Sequence, residues 1–260
     1  MAAPGNREHV ALAVKVLGPA RFALIWDGGP IIEYASEGAC ATLCPGRNSA
    51  FADRDLIRWG APLSLACQGH VMLHASAAMR DGGFIVVVGK GGAGKTTLAR
   101  ALASRGYEPV SDDALLCDTS GRAHRGAETC LREWCKEVSE RARVTGTIPY
   151  EELANRLAVL PPDGWAPVRL MLFLSEQRND ARTFLLRRLS GVQAFQTLLE
   201  HGLGGLPVPQ AWACCFRVYS ELVARVPCFA CTAPDGLDAL QASLGSLDHA
   251  FDEAASATGG

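Results

Sequence analysis

The chain has 260 residues, of which 48% are hydrophobic and 20% charged, and its formal net charge is −2. This length and apolar content suit a globular protein with a sizeable core, built as one large domain or as a core with a small appendage. The balanced charge excludes a global positive field for nucleic acid or an anionic membrane, so a peptide or small-molecule partner fits better.

Neither a membrane span nor a signal peptide is indicated. No apolar run reaches the roughly 18 to 20 residues that cross a bilayer. Lys15 also interrupts the short apolar stretch that follows the polar N-terminus. We therefore expect a cytoplasmic protein with no membrane partner.

The N-terminal quarter differs in pattern from the rest. Its short apolar runs are separated by Gly and Pro signals and predict hairpin-like strands. These runs are 10–16, 22–26 and 31–34. We expect a small β-rich part over 1–65, a core over 66–253 and a disordered tail over 254–260. The β-rich part either docks a substrate or extends a sheet over the edge of the core.

The core begins with an α/β pattern. Residues 83–89 are a continuous apolar run rich in β-branched side chains, typical of a strand buried on both faces. Residues 95–104 carry a helical apolar stripe that ends at Gly106. Residues 107–111 predict the next strand, and 114–117 either continue that strand or pair with it.

Alternating elements are predicted for the remainder of the core. Strands are expected at 168–174, at 183–189 as its hairpin partner, and at 225–231. Helices are expected at 130–142, 150–157, 190–200 with Ser190 as N-cap, 210–224 and 237–255. The fold class is α/β, with a mostly central β-sheet flanked by helices and the small β-rich part before it.

Residues 89–96 match the phosphate-binding pattern G-x-x-x-x-G-K-[ST]. Glycines let the backbone wrap a phosphate with its N–H groups inward, and the following helix adds the positive end of its dipole. Lys95 reaches the β- and γ-phosphates, and the Thr96 hydroxyl ligates Mg²⁺. The predicted nucleotide-binding residues are Gly89, Lys90, Gly91, Gly92, Ala93, Gly94, Lys95, Thr96 and Thr97. ATP is the expected donor, with GTP and pyrophosphate left open.

Two carboxylates end the strand after the phosphate loop. In an open parallel sheet, ligands sit beyond the carboxyl ends of the strands, which would bring Asp112 and Asp113 beside the loop. One carboxylate could hold Mg²⁺ while the other accepts the proton of an attacking hydroxyl. The alternative is a turn with two solvated aspartates.

These motifs together resemble the catalytic core of the HPr kinase/phosphorylase family. The segment Leu73-His74-Ala75-Ser76-Ala77, the phosphate loop and the Asp112-Asp113 pair follow one another in the order of that family. The resemblance implies a P-loop kinase core that uses ATP and Mg²⁺. It implies Asp112 as the base on a serine hydroxyl, Asp113 as a metal or hydrogen-bonding partner, and His74 near the transferred phosphate. A buried structural role for His74 stays open, and His70 is a weaker candidate.

One segment of that family has no clear copy here. It is of the Glu-Arg-Gly type and is tied to metal binding and to the reverse phosphorylase reaction. Glu128, Arg122 and Arg125 lie where a helper could come from. The reverse reaction and HPr as substrate are therefore left open. Related kinases phosphorylate a precursor serine of modified peptides, including lasso peptides. The implied acceptor is a protein or peptide with a serine hydroxyl, and a homo-oligomer stays open.

The same motif allows a second class of protein. Residues 90–97 also fit the deviant phosphate loop of ParA- and MinD-like ATPases, in which a second lysine precedes the glycines. Those proteins are dimerising switches that need no phosphate acceptor. The Asp pair soon after the loop and the upstream Leu-His-Ala-Ser segment favour the kinase. A third class, a binding module with a degenerate site, conflicts with the intact Lys95 and Thr96.

Ten cysteines raise the question of a zinc site. Cys228 and Cys231 have the spacing of half such a site. The candidates for its second half are Cys40 with Cys44, or Cys214 with Cys215. The flanks of Cys228 and Cys231 resemble a buried strand, where a free cysteine behaves as a small apolar residue, and we favour that interpretation.

Overall fold

The computed structural model describes residues 12–18, 21–26, 29–35, 40–43, 62, 65–66, 69–145, 147–149, 162–201 and 209–258. In chain order the strands are β1 (Leu12–Gly18), β2 (Arg21–Trp26), β3 (Gly29–Ala35), β4 (Cys40–Leu43), β5 (His70–Leu73), β6 (Ala75–Arg80), β7 (Gly83–Val88), β8 (Glu108–Ser111), β9 (Leu115–Asp118), β10 (Arg122–His124), β11 (Thr147–Pro149), β12 (Trp165–Asn179), β13 (Leu185–Arg188) and β14 (Cys228–Pro234).

Six α-helices lie within the described residues. They are α1 (Lys95–Ala101), α2 (Ala127–Thr145), α3 (Gly191–His201), α4 (Pro209–Arg225), α5 (Leu237–Ser243) and α6 (Gly245–Thr258). A 3₁₀ turn, Leu102–Arg105, extends α1, and Gly106 follows it with a left-handed φ of 82°. None of the described helices has both the length and the apolar character needed to cross a membrane.

The N-terminal strands form an antiparallel sheet. Among the described residues its order is β1-β2-β3-β4-β11, and each neighbouring pair is antiparallel. The strand β11 pairs with β4 but lies within 66–253, the range that we predicted as core. The predicted N-terminal part, 1–65, therefore does not contain every strand of this sheet. A three-residue strand carries too short a pattern to be recognised in the sequence.

The larger sheet is mixed and not wholly parallel. In the part of the chain that the structure describes, β13, β14, β12, β7, β6 and β8 lie side by side, and β10, β9 and β5 continue from the start of β12. The strands β7, β12 and β14 are parallel to one another. The strand β6 is antiparallel to both β7 and β8. The carboxyl ends of β7 and β8 therefore meet at one edge of the sheet, together with the beginning of β6.

Both faces of this sheet are buried, which explains the continuous apolar runs of its central strands. In β7, Phe84, Val86 and Val88 belong to one apolar cluster, while Ile85 and Val87 belong to the other. Because successive side chains of a strand point to opposite faces, each face needs its own cover. Side chains of α2, α3 and α4 cover the first face, and α1, α5 and α6 cover the second. The predicted fold class, a central sheet flanked by helices, is confirmed.

Several pairings differ from the prediction because tertiary contacts choose the partner of a strand. The strand β13 pairs with β14, not with β12, and β9 pairs with β5, not with β8. The helix predicted over 237–255 is divided at Leu244 into α5 and α6. The predicted disordered tail is wrong over 254–258, because α6 continues to Thr258 and buries Ala254. The helix predicted at 150–157 lies outside the described residues.

Candidate active site

The phosphate-loop sequence forms the predicted turn between a buried strand and a helix. β7 ends at Val88, α1 begins at Lys95, and the Leu98 amide donates to the Gly94 carbonyl at 2.9 Å. Gly94 has a φ of 92°, and a Cβ at this position would lie 2.9 Å from the guanidinium of Arg178. The positive φ favours glycine at the position that precedes the lysine of the motif.

The lysine of the motif lies across the loop. Lys95 is only 7% exposed, and its Nζ donates to the carbonyl oxygens of Gly89 at 2.8 Å and Lys90 at 3.1 Å. The same Nζ lies 3.2 Å from Nε2 of His74. Burial lowers the pKa of Lys95, and the nearby carboxylates of Asp112 and Asp113 partly oppose this shift.

The order of the strands brings the acidic pair, Asp112 and Asp113, to the loop. Ala75 at the start of β6 pairs with Val88 at the end of β7. On the other side of β6, Ala77 pairs with Ser111 at the end of β8. The residues just beyond these strand ends, which are His74, Gly89 and the acidic pair, consequently lie at one edge of the sheet. The predicted proximity is correct, although an antiparallel strand separates β7 from β8.

His74 connects the lysine to the acidic pair. Its Nδ1 lies 2.9 Å from Oδ1 of Asp113 and 3.1 Å from the carbonyl oxygen of Asp113. Its Nε2 faces Lys95. The two contacts fit the tautomer with its proton on Nδ1, since Nε2 then accepts from the ammonium group while Nδ1–H donates to the carboxylate.

The two carboxylates of the acidic pair have different surroundings. Oδ1 of Asp112 accepts from the buried Ser76 hydroxyl at 3.4 Å, and its Oδ2 lies 3.5 Å from Arg100. Ser76 also donates to the Asp112 carbonyl at 2.9 Å. Asp113 is more tightly engaged, because Oδ1 contacts His74 and Oδ2 lies 3.3 Å from Arg132. Both side chains remain about half-exposed.

A carboxylate of α2 holds the loop that carries the acidic pair. Oε2 of Glu128 accepts from the Asp112 amide at 2.9 Å, the Ser111 hydroxyl at 3.0 Å and the Asp113 amide at 3.3 Å. Its Oε1 accepts from Arg132, one turn further along the helix, at 2.9 Å. The sequence suggested Glu128 only as a poor match to a family helper. Glu128 lies in the first turn of α2, where an acidic side chain interacts favourably with the helix dipole. The sequence therefore did not reveal that Glu128 also holds the acidic pair.

The ionisation of Glu128 reflects these donors. Burial alone would raise the pKa of Glu128, but the Asp112 amide, Arg132, the Asp113 amide and Ser111 together hold that pKa below its ordinary value. The hydrogen bond that Arg132 donates to Glu128 in turn raises the pKa of Arg132. The carboxylate is therefore charged at neutral pH and acts as a fixed acceptor beneath the acidic pair.

Other predicted residues lie on the rim of the site or away from it. Lys90 is exposed and pairs with Glu176 at 3.3 Å. The ring of His70 lies 5.7 Å from the ring of Trp165 at the start of β12, at the other end of that strand from the site. The remaining helper candidates are also engaged elsewhere: Arg122 pairs with Asp118, and Arg125 lies 3.9 Å from Glu108.

A cavity of about 170 Å³ opens on the opposite side of the loop. It lies among the loop, the beginning of α1, the end of β12, β14 and α5. The residues that line it are Ala93, Gly94, Thr97, Leu98, Leu174, Arg178, Ala233, Pro234, Gly236, Leu237 and Leu240. Arg178 donates to the carbonyl of Ala93 at 2.8 Å, which fixes its guanidinium against the phosphate loop.

The two cysteines of β14 lie on opposite faces of the sheet. Cys228 belongs to the apolar cluster on one face of the sheet and Cys231 to the cluster on the other, so their thiols cannot converge. Burial raises the pKa of each thiol to about 12. Among the described residues, no group of three or more His, Cys, Asp or Glu side chains could hold a metal ion by itself. The apolar interpretation of this pair is confirmed.

Comparisons with known proteins do not establish a family for this chain. No protein-family model matches the chain, and no curated protein matches it. Among solved structures, the Hpr(Ser) kinase/phosphatase from Coxiella burnetii is 17% identical over 70% of this chain and 97% of that chain, with a TM-score of 0.30. A likeness at this TM-score and identity does not indicate the activity of this chain.

Proposed function

We propose that this chain is a kinase that transfers the γ-phosphoryl group of ATP, with Mg²⁺, to a serine hydroxyl of a protein or peptide. The observation that supports it most is the series of contacts from Lys95 through His74 to Asp113. This series joins a phosphate-binding lysine to a carboxylate pair at one edge of the sheet. A kinase needs both groups close together, whereas a dimerising switch needs no acceptor site.

In the proposed reaction, the serine oxygen bonds to the γ-phosphorus. The bond from that phosphorus to the β–γ bridging oxygen breaks, and ADP leaves. The hydroxyl proton passes to Asp112. Asp112 suits the base better than Asp113 because its carboxylate contacts are longer, at 3.4 and 3.5 Å, and leave it more available. Lys95 and the loop amides stabilise the charge on the phosphoryl oxygens.

Thr96 and Asp113 are the residues that we propose to hold Mg²⁺. A hydroxyl and a carboxylate are the hard oxygen donors that this ion prefers. Mg²⁺ commonly takes most of its ligands from water and substrate phosphates, so it would need no all-protein cage here. When bound, the ion supplies positive charge against the charge that develops on the phosphoryl oxygens. His74 then keeps Asp113 oriented toward the phosphate loop.

The proposed acceptor is a peptide made in the cytoplasm as the precursor of a modified natural product, of the lasso-peptide type. The resemblance of the core to HPr kinases supports a kinase, and the short chain with a divergent N-terminal part suits a dedicated acceptor. The family's Glu-Arg-Gly segment has no clear copy here, which weakens the case for HPr. HPr itself is the second acceptor to test. The reverse phosphorylase reaction is not part of this proposal.

The test is the intact mass of candidate acceptors after incubation with the full chain, ATP and Mg²⁺. HPr and a pool of serine-terminated peptides are compared side by side. We expect a gain of one or more phosphates on one acceptor class, and no gain with Lys95→Ala. Lys136→Ala is the matched control, because Lys136 is an exposed lysine of α2 outside the phosphate loop.

One pattern of results would replace the kinase by the ParA- or MinD-like switch. In that pattern no acceptor gains mass, while ATP drives dimerisation and slow hydrolysis. Sedimentation with and without ATP, together with a phosphate-release assay, distinguishes the two classes. Failure to bind ATP at all would favour a binding module with a degenerate site.

A further inference from the structure

The helix α3 ends in a histidine that lies on its buried face. Ala194 and Leu198 are fully buried in the first apolar cluster, and His201 is partly buried. These three residues are four and three positions apart, which is the spacing of one face of an α-helix. His201 therefore continues the buried stripe of α3 into its last turn, away from the exposed face that carries Val192 and Gln196.

The direction of α3 brings this histidine toward the edge of the sheet that carries the phosphate loop. The strand β13 is antiparallel to β14, and the Leu189 amide just after β13 donates to the carbonyl of Cys228, the first residue of β14, at 2.8 Å. Because β14, β12 and β7 are parallel, α3 starts at the edge opposite the loop. Its 11 residues rise by about 16 Å, most of the length of β14, so its last turn approaches the loop.

The electrostatic surroundings of His201 agree with this position. Among the described residues, the charged groups that act on it most strongly are Lys95 and Lys90 of the loop, His74, and Glu200 of its own helix. Burial lowers the pKa of His201 below its ordinary 6.5, and the two lysines and His74 lower it further, while Glu200 opposes the shift. His201 is therefore mostly neutral at pH 7 in the free chain.

A polyphosphate at the loop would reverse the charge that faces His201. Its oxygens carry several negative charges and would lie on Lys95, one of the cations that disfavour a proton on this imidazole. Anions favour the charged form of a histidine. The last turn of a helix also favours a cation, because the helix dipole is negative at that end.

We propose that His201 is a phosphate-binding residue contributed by α3: it takes up a proton from solvent when a polyphosphate binds at the loop, and its imidazolium then donates to a phosphate oxygen. The inference rests on the proposed function, because that function places a polyphosphate there. It goes beyond that function because neither the phosphate motif nor the acidic pair includes any residue of α3.

The experiment counts the protons that the chain takes up when it binds ATP. Calorimetry on the full chain with ATP and Mg²⁺ at pH 6.5, in buffers of different ionisation enthalpy, gives this number. His201→Gln keeps a hydrogen-bonding side chain of similar size that does not titrate. Protonation of ATP and of His74 is common to both chains and cancels in their difference. We expect the wild-type chain to take up about 0.5 proton more than His201→Gln.

Two further variants sharpen the comparison. His249→Gln changes an exposed histidine of α6, on the other face of the sheet, and should take up as many protons as the wild-type chain. His201→Lys carries a fixed charge. At pH 8 it should bind ATP about tenfold more tightly than His201→Gln, the size of a hydrogen bond to a charged group. Melting temperatures report that each variant is folded.

A measurement on the wild-type chain does not depend on how the variants fold. The ring-proton resonance of His201 is followed by NMR against pH, and its absence in His201→Gln assigns it. We expect its titration midpoint to lie below pH 6.5 in the free chain and above pH 6.5 with ATP and Mg²⁺ bound.

The outcomes separate this inference from the proposed function. Equal proton uptake by the wild-type chain and His201→Gln, with ATP bound to both, would overturn the role of His201 and leave the kinase intact. An unmoved His201 midpoint would do the same, as would a His201→Lys chain that binds ATP no better than His201→Gln. Failure of ATP to bind the wild-type chain would overturn the kinase and the role of His201 together.

Discussion

The two sides of the phosphate loop differ in chemistry although they flank the same strand. On the acidic side, next to β6 and β8, the ammonium group of Lys95 contacts His74, His74 contacts Asp113, and Asp113 contacts Arg132. The apolar side, next to β12 and β14, has Arg178 as its one charged lining residue among those described. The two sides therefore offer different surroundings to a molecule bound at the loop.

The two sides of the loop should respond differently to substitution. Changes on the acidic side should lower phosphate transfer and leave ATP binding largely intact. The following changes test the acidic side and the lysine that both sides share.

The largest effect is expected from Lys95→Ala. The substitution removes the ammonium group that contacts His74 and should lower transfer about 10⁴-fold, the scale of a cation that stabilises a transferred phosphoryl group. The initial rate of acceptor phosphorylation, followed by mass, is the measurement. Lys136→Ala should retain the wild-type rate. A Lys95→Ala enzyme within tenfold of wild type would contradict the phosphate role of the loop.

Asp112→Asn should lower transfer about 10³-fold, within the range for loss of a general base, while the affinity for ATP stays within a few-fold. Single-turnover rates and calorimetry report the two quantities separately. Asp163→Asn, an exposed aspartate before β12, is the matched control. Full transfer by Asp112→Asn would end the assignment of Asp112 as the base, and Asp113→Asn would then be the next variant to measure.

Glu128→Ala should lower transfer by up to about 10²-fold without loss of ATP affinity. The substitution frees the amides of Asp112 and Asp113 from their shared acceptor, and displacement of a reacting group by about 1 Å can have an effect of this size. Glu133→Ala, an exposed glutamate on the same helix, serves as the control. If Glu128→Ala lowers the affinity for ATP as strongly as it slows transfer, the carboxylate supports the phosphate loop as well as the acidic pair.

The smallest effect concerns stability and pH. The pKa of Glu128 is lowered from its ordinary 4.5. Its contribution to the free energy of unfolding is therefore complete above pH 4.5 and is lost as the pH falls through the lower folded-state pKa. We expect the wild-type chain to exceed Glu128→Gln by about 1–3 kcal/mol in the free energy of unfolding at pH 7. This difference should shrink on acidification below pH 4.5. Urea unfolding at several pH values measures it, and a constant gap down to pH 3 would refute the linkage.

Local patterns predicted individual elements well. The N-cap of α3 is confirmed: Ser190 Oγ accepts from the Gln193 amide at 3.3 Å, while Gln193 Oε1 accepts from the Ser190 amide at 3.1 Å. The positive φ of Gly106 after the first helix is also as predicted. Both features depend on residues within one turn of each other, so the sequence contains the whole interaction.

The pairing of strands was predicted less well. Residues near β13 were expected to pair with β12, but β13 pairs with β14, which follows it after two helices. A run of apolar residues predicts that a strand exists and how many of its faces are buried. It does not specify which of several similar strands becomes the neighbour, because that choice depends on the packing of the helices between them.

The sequence by itself determined the phosphate loop, the strand buried on both faces before it, and the residue types of the acidic pair, because these depend on neighbours along the chain. Only the tertiary structure decided that Glu128 holds that pair, and that Arg178 fixes its guanidinium on Ala93, 85 positions earlier. Each of these contacts depends on the order and direction of strands in the sheet. That order is selected by packing over the whole molecule, which no local pattern of residues records.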